Sequence, residues 1–150
     1  MLYWTIWLAL VLFVTAQYGT RMSVPESRAP GWVAWANATG IALCVTHIVI
    51  TMGSVHEWSH TAALDATARQ TASVYGLRWG GGVYFNYLFV AAWVFDAWRH
   101  SRAKPGFASP WLRQLLRIFY LIVIVNAAVV FARPHTRVLG AGLIVAMLYA

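Results

Sequence analysis

Acidic side chains are almost missing from this sequence: four Asp and Glu stand against eleven Lys and Arg, and charged residues of both signs make up only 10% of it. A soluble domain carries about 25%. Charge this sparse, interrupted by long uncharged runs, excludes an ordinary soluble globular domain and points to a polytopic membrane protein. Cysteine occurs once, at Cys44, which rules out an intrachain disulfide and leaves the redox compartment unread. There is no internal repeat and no low-complexity tract, so a solenoid is excluded. There is also no face on which basic and aromatic side chains alternate, so single-stranded nucleic acid is not an expected partner. The net charge of +7 suits anionic lipid headgroups instead.

What the chain does have is apolar residue, 61% of the total, gathered in five segments: Leu2–Ala16, Trp32–Met52, Val83–Trp98, Ile118–Ala132 and Val138–Ala150. About 20 residues of helix cross roughly 30 Å of hydrocarbon. The second segment meets this outright, the third and fourth with their flanks, and the first and fifth are short. Val14-Thr15-Ala16 has the small residues of a signal-peptidase site, but no Lys or Arg precedes the first run, so a retained helix is expected rather than a cleaved leader. Segments four and five are separated only by Arg133-Pro134-His135-Thr136-Arg137, which predicts a helical hairpin turning at the headgroups. Trp4, Trp32, Trp58, Trp79, Trp98 and Trp111 lie near segment ends, where amphipathic rings favour the interface.

The expected fold is therefore an all-α membrane bundle of about five transmembrane helices with a C-terminal hairpin. Loop two adds a short extramembrane helix: Thr61–Tyr75 is rich in alanine, Gly76 is placed to stop it, and Ser59 can cap its start if the chain breaks there. Without a break, segment two runs on as one long helix. Gly80-Gly81-Gly82 then predicts a tight turn, a close backbone approach or a hinge. Lys and Arg fix the orientation. Loops one and three carry Arg21, Arg28, Arg99, Arg102, Lys104, Arg113 and Arg117, against Arg69, Arg78, Arg133 and Arg137 on the other side. The positive-inside bias puts the amino terminus outside and the carboxyl terminus inside, in a bacterial inner membrane.

Within loop two, His56-Glu57-Trp58-Ser59-His60 resembles the H-E-x-x-H helix motif of membrane zinc peptidases. On a helix, His56 and His60 share one face, and Glu57 would be the general base to a zinc-bound water. The companion aspartate motif of those peptidases is missing. Topology leaves His135, in the hairpin turn, as the one well-formed third ligand. Asp96 and His100 belong to the opposite side of the membrane, Asp65 lies too near the same axis, and His47 is nine residues back on the opposite helix face. A zinc-binding or transport role for His56, His60 and His135 is the non-catalytic version.

Polar groups inside the apolar runs need partners. His47 shares a small, polar stripe with Gly40, Cys44, Thr51 and Ser54, which suits close helix packing. Its sharper alternative is axial coordination of a haem or pigment metal. Asn37, Asn86 and Asn126 should face other helices. Asp96 is three residues from Arg99, so a local ion pair is expected, with a proton or cation relay as the alternative. The basic stretch Arg99–Arg117 predicts contact with anionic lipid or an acidic partner. Finally, Trp58-Ser59-His60, Arg78-Trp79-Gly80-Gly81-Gly82-Val83-Tyr84-Phe85-Asn86-Tyr87, Trp93 and Asp96 resemble a pattern in small uncharacterised bacterial integral membrane proteins. That resemblance implies a membrane fold and no particular activity. The function these features favour is a small, non-catalytic integral subunit or accessory factor that binds lipids and other membrane subunits.

Overall fold

The computed structural model describes residues 2–22, 30–102 and 110–149. Arg28, Lys104 and Pro105 of the expected basic loops lie outside them. Among the described residues the chain is all-α, with six helices: α1 (Leu2–Met22), α2 (Gly31–Ser54), α3 (His60–Tyr75), α4 (Gly82–Ser101), α5 (Pro110–Val125) and α6 (Arg137–Tyr149). A π-helical turn, Asn126–Val130, prolongs α5, and a 3-10 turn, Pro134–Thr136, precedes α6. Among the described residues two helices are long and apolar enough to cross a membrane: α2, and α5 together with its π turn. The others fall short for different reasons. The 13-residue α6 is only about 20 Å long at 1.5 Å per residue. Tyr and Trp temper the hydropathy of α1 and α4, and α4 also carries Asp96 and Arg99.

Two helices begin or end differently from the apolar segments. α1 continues past Ala16 to Met22 because Thr15 and Thr20 turn their hydroxyls back onto the carbonyls of Val11 and Ala16, both at 2.8 Å. This hides polar groups against the helix itself. α5 begins eight residues before Ile118, with Pro110 opening a stretch that carries Arg113 and Arg117 on an otherwise apolar helix.

The helices alternate in direction. Thr5 meets His47, and the Gly19 backbone lies under Trp32 and Val33, so α1 and α2 are antiparallel along their length. Gln17 reaches Asp96, which sets the end of α1 beside the end of α4. Arg117 donates to the Leu148 carbonyl at 2.7 Å, joining the start of α5 to the end of α6. The bundle is locked by an aromatic centre. Phe13 of α1 is edge-on to Trp93 of α4 and to Tyr120 of α5, with ring centroids 4.9 Å apart in each case, and 5.2 Å from Phe89. Edge-to-face pairing of this kind is worth about 0.5–1.5 kcal/mol per pair. Trp93 also donates its indole N–H to Asn37 Oδ1 at 2.7 Å, so a polar handle within the core is satisfied. By contrast, Trp4, Trp32, Trp58, Trp79, Trp98 and Trp111 are all exposed.

α3 lies across the other end of the bundle. Ser59 caps it, accepting from the Ala62 N–H at 3.2 Å, and Gly76 ends it in the left-handed region at φ 73°. The glycine run that follows makes a close approach: a Cβ on Gly80 would stand 2.4 Å from the Leu64 carbonyl oxygen. A side chain there would push α3 off α4. The far end of α3 is tied to α5, where Tyr75 donates to Asn126 Oδ1 at 3.0 Å and its ring lies edge-on to Phe131.

Candidate functional site

The H-E-x-x-H residues do not form a helix face. α2 stops at Ser54, and the turn is closed by Trp58 N–H to the Met52 carbonyl at 2.8 Å and Ser59 N–H to the His56 carbonyl at 2.7 Å. Glu57 and Trp58 occupy the left-handed region, at φ 49° and 60°. His56 thus belongs to the turn and His60 is the first residue of α3, so the i, i+4 stacking that zinc ligation would need is broken. Glu57 is exposed. His60 is also exposed, and its ring lies 5.6 Å from Tyr84 and 6.0 Å from Tyr87. His135 is exposed in the hairpin turn, past Phe131. It lies at the same end of the bundle as expected, but His60 begins α3 and Phe131 packs on its last residue. The 16-residue helix is about 24 Å long at 1.5 Å per residue. Among the described residues no three His, Cys, Asp or Glu side chains stand where they could hold one metal ion.

The break changes the position of His47 as well. A straight helix would hold His47 and His56 on opposite faces. Here both line one small cavity of about 90 Å³, with Thr51, Met52, Asn86 and Tyr87. His47 Nδ1 is 3.1 Å from Thr5 Oγ1, which gives the imidazole an interhelical hydrogen bond and a packing role. Cys44 and Gly40 on the same stripe are buried, Gly40 directly beneath the Trp93 ring. Asn37 and Asn126 face other helices as expected, whereas Asn86 is exposed. Above the turn, Asp65 accepts from Arg78 at 2.6 Å and also pairs with Arg69. The Arg78 hydrogen bond, reinforced by both positive charges, holds the Asp65 carboxyl below its usual range.

The opposite end of the bundle carries the larger site. A cavity of about 490 Å³ opens between the ends of α1, α4 and α6 and the beginning of α5. Asp96, 5% exposed, forms its floor. Arg99 Nη2 contacts Asp96 Oδ1 at 2.6 Å, Gln17 donates to Oδ2 at 3.3 Å, and His100 Nδ1 lies 2.8 Å from the Asp96 carbonyl. The local ion pair expected from sequence is therefore present, and Gln17 of α1 completes it. Arg21, Arg113 and Arg117 add three more guanidinium groups to the walls. Tyr120 sits at the inner limit, with its hydroxyl buried and without a hydrogen-bond partner. The chemistry available here is recognition of negative charge. Sequence reasoning identified Asp96, Arg99 and the basic stretch after α4. It did not connect Gln17, Arg21 or Tyr120 to this site: Gln17 and Arg21 come from α1, remote in sequence, and Tyr120 reads as one more residue of an apolar run.

No family model, curated protein or solved structure matches the chain.

Proposed function

We propose that this chain is a small, non-catalytic integral membrane protein that serves as a subunit or accessory factor of a larger membrane assembly. One observation carries the reading. Leu8 and Val11 of α1, Val45, Val49 and Ile50 of α2, and Leu88, Val94 and Phe95 of α4 are all exposed. So are Leu115, Ile118 and Ile122 of α5 and Val145 and Leu148 of α6. These are spread over five helices, while α3 exposes large apolar side chains only at its last turn, Val74 and Tyr75. Scattered exposed apolar residues are ordinary, but a continuous belt marks lipid or a protein partner. In this reading the five belted helices cross the bilayer and α3 lies on the outer surface. The short α6 is accommodated by local thinning at a modest cost per ångström. The likeness of Trp58–His60 and Arg78–Tyr87 to small bacterial membrane proteins supports the same placement, in a bacterial inner membrane.

The subunit role follows from how little these helices cover one another. Lipid and partner helices both satisfy an apolar belt, but thin, short helices gain from neighbours that extend their packing. The test is extraction from native membranes. The protein should resist alkaline carbonate, and native mass spectrometry in mild detergent should return it with other membrane polypeptides. Recovery of the monomer alone from native membranes, across several mild detergents, counts decisively against the subunit reading. Release by carbonate removes the membrane reading itself.

A further inference from the structure

We infer that the cavity at the ends of α1, α4 and α6 is a binding site for a phosphate group. Among the described residues four arginines line it, Arg21, Arg99, Arg113 and Arg117, against one carboxylate, Asp96. That carboxylate is already engaged by Arg99 and Gln17. Helix ends account for some of the excess. Arg117 donates to the last turn of α6 and Arg21 lies in the last turn of α1, where a cation is favoured. Arg113 has no such account. It stands in the first turn of α5, the end of a helix dipole that repels positive charge. No hydrogen bond or ion pair engages the Arg113 side chain among the described residues.

Two buried donors point the same way. The Arg99 side chain is 10% exposed and its Nε has no hydrogen-bond partner, and the Tyr120 hydroxyl is equally unpaired. Both belong to residues that line the cavity. Buried donors are almost always satisfied, so two unpaired donors on residues that line one polar cavity mark a place where an acceptor fits. A phosphate supplies several acceptor oxygens and the charge that a guanidinium fork matches in a bidentate manner. The volume, about 490 Å³, is that of a small-ligand site and exceeds what a bare ion needs. A phosphate ester of a small polyol meets both requirements, whether as an anionic lipid headgroup or as a free solute. The site is defined by this chain's side chains alone and does not depend on the subunit reading.

The test uses the full-length protein in neutral detergent, with its thermal unfolding midpoint followed against inorganic phosphate, glycerol phosphate and micellar phosphatidylglycerol. Sodium chloride at matched ionic strength and a neutral glycolipid serve as controls. A saturable rise with at least one phosphate probe is expected. The apparent affinity should weaken about tenfold or more in the exposed-arginine variant Arg21→Gln/Arg113→Gln, as loss of charge-assisted hydrogen bonds implies. It should also weaken in Tyr120→Phe, which keeps the ring in the core. A rise with phosphatidylglycerol alone assigns the headgroup as the source, and a rise with the soluble probes assigns a free phosphorylated solute. No rise beyond the controls, or a rise of unchanged affinity in both variants, overturns the site.

Discussion

Asp96 and Arg99 illustrate how one pair of residues can set the character of a helix. Both are nearly sealed from solvent, with side-chain exposures of 7% and 10%. Removing one partner strands the other as a buried charge, which costs about 3–5 kcal/mol, whereas replacing both by apolar residues is often neutral. Asp96→Leu and Arg99→Leu should each lower the unfolding midpoint strongly in detergent, and the double variant should recover most of the loss. A double variant as unstable as the sum of the singles would show that the two side chains do not act as a pair. The spacing of three residues made this contact readable from sequence, because i and i+3 are neighbours on any helix. Gln17 could not be anticipated, since its 79-residue separation from Asp96 is resolved only by packing.

At the scale of elements, the sequence announced α2 within two residues at either end and marked both limits of α3 through Ser59 and Gly76. These are local signals: an apolar run, a hydroxyl cap, a glycine stop. The break between Ser54 and Ser59 was legible only as an alternative, because nothing in Val55–Trp58 forbids helix. It is closed within the turn, by the Trp58 N–H on the Met52 carbonyl and the Trp58 ring against Gly53. That single break decides that His56 and His60 are not neighbours on a helix face. The π turn at Asn126–Val130 likewise had no local signal. It lies where Tyr75 binds Asn126 and where α6 presses its Gly140 against Ala128, contacts made from outside the segment. α3 is fastened to the glycine run by Asp65 and Arg78, and this link carries a pH dependence. The folded Asp65 carboxyl titrates below its ordinary value of 3.8, so its contribution is complete above that value and disappears as the pH falls through the lower folded value. Hydrogen exchange of α3 amides should therefore gain an acid-induced component below about pH 4 that Asp65→Asn lacks. Because the groups are exposed, high salt should shrink the difference. An identical acid response in the variant removes Asp65 as the titrating group.

For the whole molecule, charge and depth combine. The cavity end of the described bundle carries Arg21, Arg99, Arg102, Arg113 and Arg117, and the α3 end carries Arg69, Arg78, Arg133 and Arg137. Five against four would barely orient a membrane protein. Arg28 and Lys104, which belong to the cavity-end connections in sequence, widen the margin to seven against four. Each basic residue near an anionic surface is worth about 1 kcal/mol, so under the proposed membrane placement an excess of three favours the cavity end at the cytoplasmic leaflet by about 3 kcal/mol. The phosphate site would then face the side on which phosphorylated solutes and anionic headgroups are both at hand, and His60 with Tyr84 and Tyr87 would face outward. A fluorescent protein fused after Ala150 should light up in cells, while alkaline phosphatase at the same place should stay inactive. Fused within the hairpin turn after His135, the two reporters should exchange behaviour. Neutralising Arg28 and Lys104 together should weaken this preference, because the margin falls to five against four. A bundle that keeps its full orientation without those two charges is being oriented by something other than its basic loops.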